Sequence, residues 1–417
     1  MTRKIIFSLL ALCLSAGAAA QSLTLKQCVD MARQHYPAAR QYGIIELSRD
    51  YTMQNALKSR LPQVNIAAGA LAFTDIADLN GAAQTMVGDT KNYMLGASLT
   101  VTQSIYDGGK SSANKRTAAA QAEVEARQLD AQMYAVDQRV EDIYFGVLLL
   151  DAQLEQNALL TADLQNAKTT IESMISGGVA NRGDLLQLMA EMERQAQQRD
   201  ALTSSRAAYI SMLALFIGQK LQADGVSLQL PSAPAMQSAL SARPELAVYD
   251  AQDRLTDEQH RMLNVRLRPT FSFFGLATTH TNAVDLFHHS MLAGGVTLAW
   301  NIGALYTRRN DMRKLDLQRQ ATDSRRSTFS FNTRLETEQT DGSIAALRRQ
   351  IAHDDTIVAL RSDIRALADR KVKAGTQSTN DLISDINAVS LARSQRSLHQ
   401  LQLLQVQYRR RHILNGL

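Results

Sequence analysis

Few residues in this 417-residue chain have types and spacings that could do chemistry. His280, His288 and His289 fall in or beside one predicted surface loop, and imidazoles gathered there could hold a transition metal. Adjacent histidines, however, lack the spacing by which a helix presents two ligands, and no acidic or cysteine cluster supports them. No metal is expected. His35, His260, His353, His399 and His412 are scattered. No glycine-rich phosphate loop, Gly-x-Ser-x-Gly or His-Glu-x-x-His occurs, so neither catalytic residues nor a cofactor is expected. Carboxylates remain. Asp381 and Asp385 are four apart and share one helical face. Asp184 and Asp381 fall in first turns of predicted helices, where the helix dipole favours an anion.

The elements that carry these residues are long helices. The composition is 45% hydrophobic and 5% aromatic, with only 6 prolines. Scarce proline with abundant Ala, Leu, Gln and Arg predicts uninterrupted helix. The net charge is +5, two of it from Arg3 and Lys4, and no basic stripe with interleaved aromatics is seen, which excludes nucleic acid. Arg3-Lys4, the apolar run Ile5 to Leu14 and Ala18-Ala19-Ala20 read as a secretory signal over residues 1–20. No later stretch is apolar for long enough to be a membrane helix. Cys28 is then the one cysteine of the exported chain and reads as a small apolar helix residue.

An internal repeat sets the organisation. Gly178-x-x-Asn181-x-x-Asp184-Leu185-Leu186 recurs as Gly375-x-x-Ser378-x-x-Asp381-Leu382-Ile383, and Gln103-Ser104-Ile105 aligns with Trp300-Asn301-Ile302 at the same shift. So long a stretch without insertion predicts continuous helix, because loops tolerate insertions cheaply. Upstream, Pro62 pairs with Pro269 and Pro37 with Pro244. The reading is an N-terminal helical segment 21–36 and a first repeat 37–218. That repeat holds strands 61–75 and 92–106, a long helix 110–175 and a helix 184–217. A linker 219–243 leads to a second repeat 244–417, with strands 269–280 and 290–302, a long helix 307–372 and a helix 381–413. Asp341-Gly342, a turn signal by itself, is read as helix because the ungapped repeat leaves no room for a break.

Periodicity supports both element types. Met133, Val136, Val140, Ile143, Val147, Leu150 and Leu154 step by three and four, a heptad seam. In the strands, Tyr93, Leu95 and Leu99 alternate with Gly96, Ser98 and Thr100, and Leu292, Val296, Leu298 and Trp300 with small or polar residues. Strands of about ten residues, apolar on one side only, match a membrane barrel. Four strands cannot close one, and open edges cannot sit in lipid, so several copies are required. Two copies give eight strands and a filled interior; three give twelve and a lumen. Seam and strand count both predict an oligomer.

The chain resembles the TolC-type outer-membrane efflux proteins over residues 22–417. The likeness rests on Leu23-Thr24-Leu25, Pro37, Pro62, Pro269, Ile105-Tyr106-Asp107-Gly108-Gly109, the paired Gly-x-x-x-x-x-Asp-Leu turns, and the segments Leu215 to Gly218 and Leu414 to Leu417. It implies a mostly α protein that forms a homotrimer. A twelve-stranded barrel in outer-membrane lipid would continue into a long coiled-coil periplasmic tunnel. It further implies a passive exit duct for a tripartite pump, partnered by a periplasmic adaptor and an inner-membrane transporter. The turns at Gly177, Gly178, Val179, Asn181 and Asp184 and at Gly375, Thr376 and Ser378 would meet the adaptor, about 100 Å along the helices from the strands. Asp381 and Asp385 would form a carboxylate ring at the tunnel neck; their bland reading is helix capping. Two alternatives stand beside this one: a protein or peptide secretion duct within the same family, and a secreted adhesive coiled-coil trimer outside it.

Overall fold

The computed structural model describes residues 21–72, 93–178, 181–235, 243–281, 289–374 and 376–414. The predicted signal over residues 1–20, residues 76–92, Val179, His288 and Gly375 lie outside them. In chain order the elements are β1 (Gln21–Leu23), α1 (Leu25–His35), α2 (Gln41–Lys58), β2 (Gln63–Ala72), β3 (Tyr93–Tyr106), α3 (Lys110–Ser176) and α4 (Arg182–Ile217). Then come β4 (Val226–Leu228), α5 (Pro244–Val265), β5 (Thr270–Thr281), β6 (His289–Ala299), α6 (Ala304–Lys373) and α7 (Thr379–Leu414).

These elements form two compact units, residues 1–40, 129–246 and 328–417 in one, 41–128 and 247–327 in the other. Neither unit coincides with a sequence repeat. Each takes one half of both repeats, because α3 and α6 belong to the second unit at their starts and to the first at their ends.

In the second unit β2, β3, β5 and β6 form one antiparallel sheet in that order. Its register sets Leu99 opposite Ile66 and Ala277, and Phe273 opposite Gln103 and Val296. A bulge between Ser104 and Tyr106 lets Tyr106 pair with Phe271. Strand edges β2 and β6 are unpaired within the sheet.

The first unit centres on Val136, Val140, Tyr144, Phe145 and Val147 of α3, Ile210, Leu213 and Ile217 of α4, and Tyr408 of α7. Two expectations change here. The seam from Met133 to Val147 is buried by elements of its own chain, so it is not a surface awaiting another copy. Residues 21–23, read as helical, form a strand, and the supposed linker supplies its partner: β1 and β4 pair in parallel. The reason is tertiary. Leu23, Val226 and Leu228 point into the core, and the buried Tyr144 hydroxyl donates to the carbonyls of Leu23 and Gln229.

α6 passes through Asp341-Gly342 without a break. Arg410 of α7 holds the Asp341 carboxylate, and the Thr333, Thr337 and Thr340 hydroxyls donate to carbonyls four residues back, satisfying themselves inside the helix.

α4 ends on Gly218, whose φ of 68° is left-handed and whose amide closes on Ala214. A Cβ there would lie 2.6 Å from the His35 ring. Gly218→Ala is therefore expected to cost about 2 kcal/mol, from backbone strain plus displacement of the ring. Thermal unfolding checks this; an unchanged melting temperature would refute it.

Candidate functional site

No group of three or more metal-ligating side chains exists among the described residues. His280 and His289 pair across β5 and β6 by backbone register. What stands out instead is surface. Cross-strand partners share a face, so the register gathers Val64 and Ile66 of β2, Leu95 and Leu99 of β3, and Phe271 and Phe273 of β5 with Leu292, Val296 and Leu298 of β6. All of these are exposed, Leu292 at 86%. The face is apolar across all four strands. The opposite face carries Asn65, Ser98, Thr100, Ser272, Thr278 and Thr297, with Phe274 laid over Gly295, where a Cβ would meet the ring at 3.0 Å.

The alternation of β3 and β6 was readable from sequence. The contribution of β2 was not, because Gln63-Val64-Asn65-Ile66 runs into Ala67-Ala68-Gly69-Ala70, where small residues blur the period. The register also places Tyr93 opposite Ala72. Trp300 follows β6, is 60% exposed, and donates its indole N–H to the Leu267 carbonyl at 2.9 Å.

The helical turns lie in the first unit. Gly177 and Gly178 close α3, their amides donating to Ser173 and Ile175, with Gly178 at φ 73°. Asn181 caps α4: its side-chain oxygen accepts from the Asp184 amide at 3.0 Å, and the Asp184 carboxylate accepts from the Asn181 amide. Gly183 is part of this cap, since a Cβ there would sit 2.8 Å from the Asn181 oxygen. In the second turn Thr376 returns its amide to Lys371, and the Ser378 hydroxyl accepts from the Asp381 amide at 3.2 Å. Thr379 is the first helical residue and is buried. Asp381 is exposed and Asp385 half-buried, one turn further along α7. Leu164 and Ile171 of α3, Leu188 of α4, Val372 of α6, and Leu382 and Ile386 of α7 pack together behind the turns. A two-pronged ion pair joins Arg365 of α6 to Asp163 of α3 at 2.7 and 2.8 Å.

The same unit buries a charged cluster that the sequence did not advertise. Asp137 and Glu141, one turn apart on α3, are held by Arg33 of α1 and Arg411 of α7. Burial pushes the Glu141 carboxyl up to about 7 despite Arg411. His412 is held neutral, down to about 3, by burial and by the Arg243, Arg411 and Arg33 guanidiniums. Its ring stacks on Tyr134 at 3.9 Å, and Arg243 lies over the Tyr134 and Phe329 rings while donating to the Ile413 carbonyl. A cleft of about 580 Å³ opens beside Lys26, Arg33, Glu141 and Arg411.

No family model matches the chain, and no curated protein is similar to it in sequence. Its fold is found among solved structures. It is similar to the outer membrane protein VceC of Vibrio cholerae at 15% identity and a TM-score of 0.68, over 94% of this chain and 95% of that one. It is also similar to the CmeC outer membrane channel of Campylobacter jejuni, with 14% identity, a TM-score of 0.68 and coverage of 94% and 85%. The MtrE outer membrane channel of Neisseria gonorrhoeae, in its open state, gives 13% and 0.67 over 94% and 88%. The fold is that of the TolC-type outer-membrane channels.

The buried carboxyl has a measurable signature. The Glu141 pKa is raised on folding, so its contribution is fully present below its unfolded value and is lost as pH rises to about 7. His412 acts in the opposite sense: its folded pKa is depressed, so stability is lost as pH falls below its unfolded value. Only a difference between variants isolates Glu141. Glu141→Gln is expected to gain on the unaltered chain across that window, because Gln does not titrate. Melting temperatures of both at stepped pH check it; a pH-independent difference would refute it.

Proposed function

We propose that the chain is one protomer of an outer-membrane channel-tunnel, a passive duct that works with a periplasmic adaptor and an inner-membrane transporter. One observation carries the reading: a four-stranded antiparallel sheet with an apolar face uncovered across every strand and both edges open. In hydrocarbon an open edge is prohibitive, whereas a closed ring of strands leaves no edge at all. Strand directions alternate, so β6 of one copy runs opposite to β2 of the next and continues the antiparallel pattern around a ring. Three copies give twelve strands and a lumen. The likeness of fold to proteins named as outer membrane channels supports the same reading.

α6 adds a second support. Ile357, Leu360, Ile364 and Leu367 step by three, four and three and are all exposed, an a/d stripe without cover among the described residues. A purely secreted coiled-coil trimer would also fill that stripe, but it would leave the apolar sheet face in water.

On this reading the turns at Gly177–Gly178 and Thr376–Ser378 are the adaptor-facing tips, together with Val179 and Gly375. Asp381 and Asp385 ring the neck. Six carboxylates from three copies would attract and hold multivalent cations.

Two measurements test the proposal. Native mass in mild detergent is expected to correspond to three chains of somewhat under 45.9 kDa each once the signal is removed; a monomer would overturn the architecture. In planar-bilayer recordings, Asp381→Asn with Asp385→Asn is expected to weaken block by multivalent cations. The Ser378 cap accepts from the Asp381 backbone amide, so it survives the change. Unaltered block would leave these two residues as helix-end structure only.

A further inference from the structure

Charge in the second unit is divided sharply by position. At the strand ends that meet the helices, the ten residues beyond each of β2, β3, β5 and β6 hold ten Lys and Arg against one acid, Asp107. That one acid is taken: Arg60, the Ser111 hydroxyl and amide, and the Gly109 amide all donate to it. Although burial works the other way, these bonds hold its carboxyl well below the usual range.

Further along the same helices the charges are matched instead. Arg116 and Arg261, at the outer limit of those stretches, share Glu258, Arg254 pairs with Glu123, Arg319 with Asp257 at 2.8 Å, and Arg326 with Asp250 and Asp253 at 2.8 and 3.0 Å. Lys58, Lys110, Arg266 and Arg309, close to the strands, are exposed and form no ion pair among the described residues. In sequence, the segments 73–92 and 282–288 that join the strands have the opposite balance, four Asp and one Lys.

A solvated helix surface has no need of such a division. A membrane boundary does, because anionic headgroups attract basic residues lying within a Debye length. Aromatics mark the same level. Tyr106 and Phe271 approach at 6.3 Å, and Trp300 is tied by its indole N–H to the carbonyl of Leu267, between Arg266 and Arg268. Trp and Tyr at the edge of an apolar band lie at headgroup depth.

We propose that the helix-to-strand junction is a binding collar for anionic phospholipid headgroups, in which Lys58, Lys110, Arg266 and Arg309 hold lipid phosphate beside Trp300. The collar rests on the membrane reading above, since it needs the sheet to sit in a bilayer. The occupant is lipid rather than free phosphate because the cations adjoin an exposed apolar face that only an acyl chain would cover.

Trp300 is the single tryptophan and so reports on this place alone. The oligomer would be reconstituted in mixed phosphatidylcholine–phosphatidylglycerol vesicles, with bromine on the acyl chains of one lipid at a time. Brominated phosphatidylglycerol is expected to associate with the Trp300 site about fivefold more strongly than brominated phosphatidylcholine, the scale of one added cation at a charged surface. That preference should fall towards unity in high salt. It should also fall in K58Q/K110Q/R266Q/R309Q, but persist in R348Q/R349Q of the other unit. Equal quenching by both lipids in the unaltered protein at low salt would overturn the collar and leave the membrane reading intact. Absence of quenching by either would instead remove the membrane reading itself. Should the fourfold variant fail to assemble, the salt titration of the unaltered protein decides: a preference insensitive to salt overturns the proposal.

Discussion

An apolar sheet face that the described residues leave uncovered constrains everything else in this molecule. Val64, Leu99, Phe273, Leu292 and Val296 come from four strands in two distant stretches of sequence, yet the register lays them on one side of one sheet. Among the described residues no helix is packed over them, and they remain exposed. Covering such a face with water costs of the order of 25 cal/mol for every Å², a cost that the proposed membrane setting would remove. The open edges at β2 and β6 add a second demand, pairing with further strands. Closed rings in a bilayer meet both demands together. On the proposed reading, the unfilled stripe on α6 and the basic residues at the strand ends answer matching requirements, one between copies and one at the lipid surface.

The helices and turns were legible because their signals are local. Scarce proline and an ungapped repeat located α3 and α6 within a few residues, and carried α6 through Asp341-Gly342. The Gly178 and Asn181 turn signals correspond to a left-handed glycine and a reciprocal cap. The heptad seam was also local, but a seam does not name its partner. Residues 133–147 turned out to pack inside the chain, while the seam at Ile357 to Leu367 went unread because Arg and Asp separate its members. Strand β1 was illegible for a different reason: its three residues pair with a segment some two hundred positions away. The concentration of Lys and Arg at the strand ends escaped for the same cause, being spread over four separate segments, none of which is a basic run.

The candidate functional residues divide along the same line. Asn181, Asp184, Ser378 and Asp381 stand at helix starts, as their spacing indicated, because capping is an interaction over three residues. Asp137, Glu141 and His412 drew no notice as single letters. Their significance comes from Arg33, Arg243 and Arg411, which reach them from other elements.

The way the first unit is assembled bears on how the chain can acquire its structure. Its core brings Leu23 and Cys28, from the start, together with Tyr408, close to the end. Tyr134 is completed by His412 through a stacked ring and a hydrogen bond to the backbone. A polypeptide emerging from its amino end therefore cannot close this core until the last turns of α7 are free. Until then the apolar side of α3 stays uncovered. Such long-range closure is slow and prone to aggregation. The order of the chain thus makes α7 the strap whose arrival completes the core.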